Sequence, residues 1–162
     1  MTISTSALQQ KNAKHLIQSF SDLSYINNPE ETNIISRADG VYIYDNDGKK
    51  LLDSMSGLWC VNMGYGQQSI IKAVNEQMKE LVYYNNFFGS SHPSAIKLSE
   101  MIADKTPEGM NKVYFCGSGS EANDTVVRLA RHYWAAKGKP SKSVIISRTN
   151  AYHGSTMAGA SL

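Results

Sequence analysis

The strongest constraint on the fold is a strand–turn–helix–strand pattern in residues 113–147. Val113–Cys116 has the composition of a short buried strand, the turn after it reads GSGSE, and Ser143–Ser147 is a second apolar strand. Between them lie apolar residues at helical spacing, namely Ala122, Val126, Leu129, Ala130, Tyr133 and Trp134. Strands connected through a helix with short links pair in parallel. The pattern therefore predicts an α/β fold with a mostly parallel sheet.

The turn from Gly117 to Glu121 has a direct chemical interpretation. Glycines let the backbone approach a ligand closely, and the free N–H groups of the first helical turn bind anions such as phosphate. The same residues also suit a plain helix cap, in which a serine hydroxyl accepts a backbone N–H and Glu121 interacts favourably with the helix dipole. The turn is not a Walker A loop, because no Gly-Lys-Ser/Thr follows.

The segment Ala151–Gly154 follows the next predicted strand. In a parallel sheet this places it at the same carboxyl edge as the GSGSE turn, where ligands bind. Tyr152 could stack there on a planar cofactor ring, or simply pack within its loop. His153 is a lone imidazole, and such a histidine is more often structural than catalytic.

The first half of the chain predicts a hairpin and two helices. Val41–Tyr44 and Lys49–Asp53 read as strands around an Asn-Asp-Gly turn. Residues 6–20 read as polar loop or weak helix, and residues 57–66 as an irregular aromatic segment. A helix over 69–82 shows one apolar face, and a second helix after Pro93 is predicted to be capped by Ser94 and to bury Ala95, Leu98, Met101 and Ile102.

Composition limits the classes of function. The 162 residues carry a net charge of +2, which is too balanced to favour nucleic acid or an anionic membrane surface. Cys60 and Cys116 form neither a disulfide framework nor a metal-binding spacing, so we expect no metal site. No secretory signal or long apolar segment is present, and we expect a cytoplasmic protein.

Seven sequence blocks, spread from about residue 15 to Leu162, together carry a family resemblance. The blocks are HLIQSF from His15, GVYIYDNDGKKLLDS from Gly40, GLWCVNMGYG from Gly57, YNNFF from Tyr84, GSGSEANDTVVRLARHYW from Gly117, YHGST from Tyr152 and AGASL from Ala158. In order and register they resemble the N-terminal part of class III pyridoxal-phosphate aminotransferases of the omega-amino acid:pyruvate type. The family fold is the fold type I aminotransferase, with a large α/β domain and a small α+β domain.

The resemblance implies a pyridoxal 5'-phosphate site in the second half of the chain. Gly119 and Ser120 match the residues that hold the cofactor phosphate, and Tyr152 matches the aromatic residue that stacks on the pyridine ring. His153 and Gly154 complete that motif, with the histidine as a neighbour of the ring rather than a proton carrier.

The resemblance also implies a substrate pocket and a domain division. Phe20, Leu58 and Trp59 match pocket positions, and Phe87 matches a residue that the partner subunit of a homodimer supplies. Taken by themselves, Leu58, Trp59 and Phe87 also suit core packing. Residues 1–56 would belong to the small domain, and 57–162 would begin the large cofactor-binding domain.

The resemblance further implies transfer of an amino group from an omega-amino acid or primary amine to pyruvate. The Schiff-base lysine of the family matches no lysine here, so we expect the chain to be a truncated part that is inactive alone. The alternatives are another fold type I enzyme, such as an aminomutase or decarboxylase, and a non-catalytic phosphate-binding or interaction domain.

Overall fold

The computed structural model of the protein describes residues 3–22, 24 and 27–162. The chain divides into two compact units, Met1–Tyr84 and Asn85–Leu162. Among the described residues, no helix is long and apolar enough to cross a membrane.

The first unit is built on a three-stranded antiparallel sheet. Its strands are β1 (Ile35–Asp39), β2 (Tyr42–Asp45) and β3 (Lys50–Leu52), in that order across the sheet. The predicted hairpin is confirmed as β2–β3, and its turn is held by the Asp45 carboxylate, which accepts the N–H groups of Asp47 at 3.0 Å and Lys49 at 2.8 Å. The sequence analysis did not predict β1.

A helix precedes the sheet and is tied to the hairpin turn. Helix α1 (Thr5–His15) begins at Ser4, whose hydroxyl accepts the Ala7 N–H. The Thr5 hydroxyl donates to the Asp47 carboxylate at 2.6 Å, so the start of the helix contacts the tip of the hairpin. The predicted weak helix over 6–20 therefore exists, but it ends at His15, with Leu16 as the extended C-cap residue.

A four-residue turn, α2 (Ser56–Trp59), and a regular helix, α3 (Gln68–Glu80), complete the first unit. The helix predicted over 69–82 is thus confirmed. Its apolar face is not buried: Ile70 and Val74 are each 50% exposed.

The second unit contains two helices of regular length. Helix α4 (Pro93–Ala103) begins two residues earlier than predicted, and its N-cap is His92 rather than Ser94. Pro93 fits the first helical position, where no N–H is required, and this leaves His92 Nδ1 to accept the Ala95 N–H at 3.4 Å. Helix α5 (Gly119–Ala136) confirms the predicted helix after the GSGSE turn, and a short 3-10 helix, Gly159–Ser161, follows.

Two strand predictions differ from the structure. Residues 113–116 and 143–147 form no strand, since among the described residues neither segment pairs with a neighbour. A strand exists only through hydrogen bonds to another strand, and apolar composition alone cannot supply that partner. Val144 and Ile146 are accordingly 82% and 91% exposed.

The predicted burial of the helix faces is also wrong for this chain. Leu98 and Met101 of α4 remain about half exposed, Ile102 is 36% exposed, and Ala95 is only partly covered. Among the described residues, no hydrophobic side chain is fully buried. An amphipathic face is buried only where another element packs against it, and these faces lack such a partner here.

Candidate functional site

The N-terminus of α5 is closed by a reciprocal cap. Ser118 is the N-cap, and its hydroxyl accepts the Glu121 N–H at 3.2 Å. In return the Glu121 carboxylate accepts the Gly117 N–H at 2.7 Å. The capping interpretation of the GSGSE turn is thus satisfied in the structure.

The cap leaves the N–H groups of the next two residues, Gly119 and Ser120, accessible to an anion. No hydrogen bond among the described residues uses the N–H of Gly119 or Ser120. A Cβ added at Gly119 would meet nothing within 4 Å, so the space before these amides is open. Two free amides at the positive end of an eighteen-residue helix fit a phosphate group. The Glu121 carboxylate is already engaged by Gly117 and does not occupy this position.

The segment after residue 151 packs directly on this helix start. The Ser155 N–H donates to the Ser120 hydroxyl at 3.1 Å, and the Asn123 side-chain amide donates to the His153 carbonyl at 2.6 Å. Gly154 is buried against Ser120, and a Cβ at Gly154 would lie 2.6 Å from Ser120 Oγ and 2.8 Å from Ser120 Cα. Only glycine permits this approach, because its φ of +130° also disfavours any side chain.

Asp124 fixes the far end of the same segment. Its carboxylate accepts the Thr156 hydroxyl at 2.6 Å and the Gly159 N–H at 3.0 Å. The Thr156 hydroxyl, with the backbone N–H groups of Gly159 and Ala158, holds the pKa of Asp124 below its ordinary value although desolvation opposes the shift. Sequence analysis did not single out Asp124 for this role. Its spacing from Ser120, one helical turn later on α5, is the signal that could have identified it.

Five predicted cofactor residues therefore lie in one unit, on α5 and the loop that packs on it. Gly119 and Ser120 are at the helix start, and Gly154 touches Ser120. The His153 carbonyl accepts a hydrogen bond from the Asn123 side-chain amide. The His153 Nε2 atom is buried and has no hydrogen-bond partner among the described residues. Tyr152 precedes them and is 70% exposed, so its ring is accessible.

Two predicted pocket residues lie in α2, which is a left-handed turn. Ser56, Gly57, Leu58 and Trp59 all have positive φ values, between 49° and 73°. The Trp59 N–H donates to the Met55 carbonyl at 2.7 Å and the Cys60 N–H donates to the Ser56 carbonyl at 3.0 Å, so the turn has helical bonding of the opposite hand. Such a conformation is unfavourable for Leu and Trp. In this conformation the Leu58 side chain is 74% exposed and the Trp59 side chain is 83% exposed.

A carboxylate and a phenol, Asp53 and Tyr65, hold this turn. The Asp53 carboxylate accepts the Gly57 N–H at 2.7 Å, the Met55 N–H at 3.3 Å and the Tyr65 hydroxyl at 2.7 Å. The Tyr65 hydroxyl, assisted by the backbone N–H groups of the turn, lowers the pKa of Asp53. The bond to Asp53 in turn raises the pKa of Tyr65.

The sequence analysis did not identify Asp53 or Tyr65 as functional. A local signal was present, because Tyr65 lies between Gly64 and Gly66 and Asp53 directly follows the hairpin. Nothing in that signal tells which carboxylate a tyrosine hydroxyl will reach.

The other two predicted pocket residues lie elsewhere. Phe20 belongs to the segment after α1, has a φ of 53° and is 89% exposed. Phe87 lies in the second unit, where its ring centroid is 6.0 Å from that of Phe88. Both are accessible in this chain. Among the described residues, no group of His, Cys, Asp and Glu side chains is arranged to hold a metal ion.

An open helix N-terminus beside a loop that carries an accessible tyrosine defines a candidate site for a phosphorylated planar cofactor. The sequence matches the model of the class III aminotransferase family over residues 25–162. The chain belongs to the class III aminotransferase family, whose members use pyridoxal phosphate.

Individual relatives agree with this assignment. The chain is 55% identical over 148 residues to the putrescine–pyruvate aminotransferase of Pseudomonas aeruginosa, covering 91% of this chain and 32% of that protein. A transaminase structure from the marine bacterium Virgibacillus is similar with a TM-score of 0.91 and 41% identity, covering 96% of this chain and 35% of the other. The omega transaminase of Pseudomonas jessenii in complex with PMP has a TM-score of 0.90 and 39% identity, over 95% and 34% of the two chains.

These alignments cover only part of each relative. The chain spans between a quarter and about a third of the length of the relatives it matches. The fold is that of the fold type I transaminases, and the predicted fold class is confirmed at this level.

Proposed function

We propose that the protein carrying this chain transfers the amino group of an omega-amino acid or primary amine to pyruvate, with pyridoxal phosphate as cofactor. The family assignment supports the aminotransferase class, and the relative named putrescine–pyruvate aminotransferase supports a diamine donor and the pyruvate acceptor. The structural observation that carries the proposal is the contact of Gly154 with Ser120, since it brings the loop after Tyr152 to an open helix N-terminus.

Different residues of α5 and of the loop packed on it would hold different parts of the cofactor. The N–H groups of Gly119 and Ser120 would bind the phosphate, which the helix dipole would stabilise. Tyr152 would stack on the ring. Gly154 and the His153 carbonyl fasten the loop that carries Tyr152 to α5. Pyridoxal phosphate itself supplies an electron-withdrawing ring and a carbonyl that exchanges an amino group with the substrate.

The left-handed turn and the phenylalanines would form the substrate pocket. Leu58 and Trp59 present apolar surface that excludes water from the donor chain, and Phe20 extends it. Phe87 completes the pocket across the interface of a homodimer. The small domain would comprise residues 1–56 and the large domain would begin at residue 57.

The lysine that binds the cofactor covalently would come from the remainder of the protein, and this chain alone would not transaminate. We further propose a cytoplasmic location. The two free cysteines, Cys60 and Cys116, are exposed, which suits a reducing compartment.

The experiment is a two-step titration of the full-length protein loaded with pyridoxal phosphate. Putrescine is expected to bleach the visible absorbance of the bound cofactor, and pyruvate to restore it with formation of alanine. Ser120→Ala is expected to weaken cofactor binding about tenfold, because Ser120 also anchors Ser155. The control is Ser99→Ala, whose hydroxyl donates to the Ile96 carbonyl of its own helix. Absence of alanine with putrescine and with other primary amines would contradict the proposal.

Product analysis separates the remaining alternatives. An aminomutase would move the amino group within one molecule, and a decarboxylase would release carbon dioxide without consuming pyruvate. A non-catalytic phosphate-binding domain would bind pyridoxal phosphate without any amine-dependent change in its absorbance.

A further inference from the structure

The base of the loop between residues 53 and 65 is fastened to the hairpin at two neighbouring points. The Asp53 N–H donates to the Val41 carbonyl at 3.0 Å. Tyr65 exchanges both backbone hydrogen bonds with Gly40, at 2.7 Å and 3.2 Å. Residues at both ends of the loop are therefore fixed by the sheet, while the loop between them carries Leu58 and Trp59.

The side chains of Asp53 and Tyr65 connect this rigid base to the turn. One carboxylate oxygen of Asp53 accepts both the Tyr65 hydroxyl and the Gly57 N–H at 2.7 Å, and the other accepts the Met55 N–H. Gly57 is packed beneath, because a Cβ there would lie 2.8 Å from Val61 Cγ2 and 3.0 Å from the Tyr65 hydroxyl. These contacts add to the backbone hydrogen bonds within the turn and connect it to the sheet.

The left-handed backbone gives these contacts a specific consequence. In L-residues a right-handed turn is favoured, so residues 56–59 would relax to other conformations without an external restraint. Such a relaxation would reverse the directions in which consecutive side chains project. The position of the Leu58 and Trp59 side chains therefore depends on a carboxylate and a phenol that need not touch the substrate themselves.

We propose that Asp53 and Tyr65 are positioning residues that determine which amines the protein accepts, by holding the Leu58–Trp59 wall in a left-handed turn. This inference rests on the proposed function, because it assumes that Leu58 and Trp59 line the donor pocket. Both residues lie within the sequence blocks that carry the family resemblance, but the pocket assignment includes neither of them.

The test compares a short amine, ethylamine, with a bulky one, 1-phenylethylamine, in the full-length holoenzyme. A rigid apolar wall discriminates between them, and Asp53→Ala is expected to reduce the ratio of their kcat/KM values about tenfold. Tyr65→Phe removes one hydroxyl and keeps the bonds to Gly57 and Met55, so a smaller change of about threefold is expected. Asp53→Asn, which keeps an acceptor oxygen, should restore most of the discrimination lost in Asp53→Ala.

Two controls separate positioning from general damage to the fold. Asp45→Asn alters a carboxylate that also accepts two backbone N–H groups in the same unit, yet it should leave the ratio unchanged. In a Trp59→Ala background, Asp53→Ala should change the ratio by less than about twofold, because the wall through which it acts is already gone. A proportional loss of activity toward both amines in Asp53→Ala and Tyr65→Phe would overturn the inference.

A second readout does not require activity. The protein is labelled with 5-fluorotryptophan, and the resonance of Trp59 is identified by its absence from Trp59→Phe. Asp53→Ala and Tyr65→Phe should shift or broaden this resonance, whereas Asp45→Asn should not. If the unsubstituted protein fails to form alanine, the proposed function fails and the selectivity part of the inference fails with it, while the fluorine spectrum still shows whether Asp53 and Tyr65 hold the turn. If alanine forms but neither the ratio nor the resonance responds, the inference fails alone.

Discussion

Gly154 shows how one missing side chain brings two distant segments into contact. It lies thirty-four positions after Ser120, yet its Cα surface touches both the backbone and the hydroxyl of that residue. Neither residue is unusual in sequence. The requirement for glycine follows from the close approach and the positive φ, which only the folded chain displays.

Gly154→Ala should therefore destabilise the protein, whereas Gly119→Ala should not. The first substitution places a Cβ 2.6 Å from Ser120 Oγ at a φ of +130°, and we expect a loss of about 1–3 kcal/mol in the free energy of unfolding. The second adds a methyl group in open space at the helix start. Urea unfolding of the two full-length variants measures the difference, and equal midpoints would contradict it.

Asp124 makes the contact between α5 and its packed loop dependent on pH. Because the folded pKa is lowered below 3.8, the carboxylate contributes stability above its unfolded pKa and loses this contribution as the pH falls through the folded value. The protection factor of the Gly159 amide, which compares its exchange with that of an unstructured peptide at the same pH, should therefore fall below about pH 4. Asp124→Asn should make that protection factor independent of pH in the acid range, and Asp104→Asn, on α4, serves as the control. A protection factor that still falls in acid in Asp124→Asn would show that another group is responsible.

At the scale of elements, the helices and the hairpin follow local signals. The Asn-Asp-Gly turn, the apolar spacing of α3 and the serine at the start of α5 each act over a few residues, and the corresponding elements form where predicted. The cap of α4 shows the limit of this reasoning. Ser94 has the better capping side chain, but Pro93 occupies the first helical position. The residue before it, His92, is therefore the N-cap.

Ser118→Ala should weaken α5 through loss of its N-cap. The Ser118 hydroxyl is the acceptor for the Glu121 N–H, and removing it should lower the free energy of unfolding by about 1 kcal/mol. Ser99→Ala removes a hydroxyl inside α4 and should change stability by less than about 0.5 kcal/mol. Thermal unfolding of both variants, with circular dichroism as the probe, compares them directly. A Ser99→Ala effect as large as that of Ser118→Ala would argue against a capping role.

At the scale of the whole molecule, the exposed surface is the informative quantity. The chain exposes 13763 Å². A closed globular protein of 17.9 kDa exposes about 8000 Å². The excess agrees with the exposed apolar faces of α3, α4 and α5.

The 162 residues expressed alone should behave as a loosely packed state. We expect strong binding of the apolar dye ANS and a broad thermal transition, because none of the described hydrophobic side chains is buried. The full-length protein under the same conditions should bind little dye and unfold sharply. A sharp transition and weak dye binding in the isolated chain would show that it closes its own core.

The sequence by itself determined the family, the hairpin and the main helices, because these depend on motifs and on interactions between residues close in the chain. It also predicted that the GSGSE turn and the Tyr152 loop meet, from the rule that parallel strands end at one edge. Only the tertiary structure decided that residues 113–116 and 143–147 remain unpaired, that Gly154 contacts Ser120, and that Asp53 and Tyr65 hold a left-handed turn. Each of these depends on groups far apart in sequence, and no local propensity specifies which distant partner a strand, a glycine or a carboxylate will find.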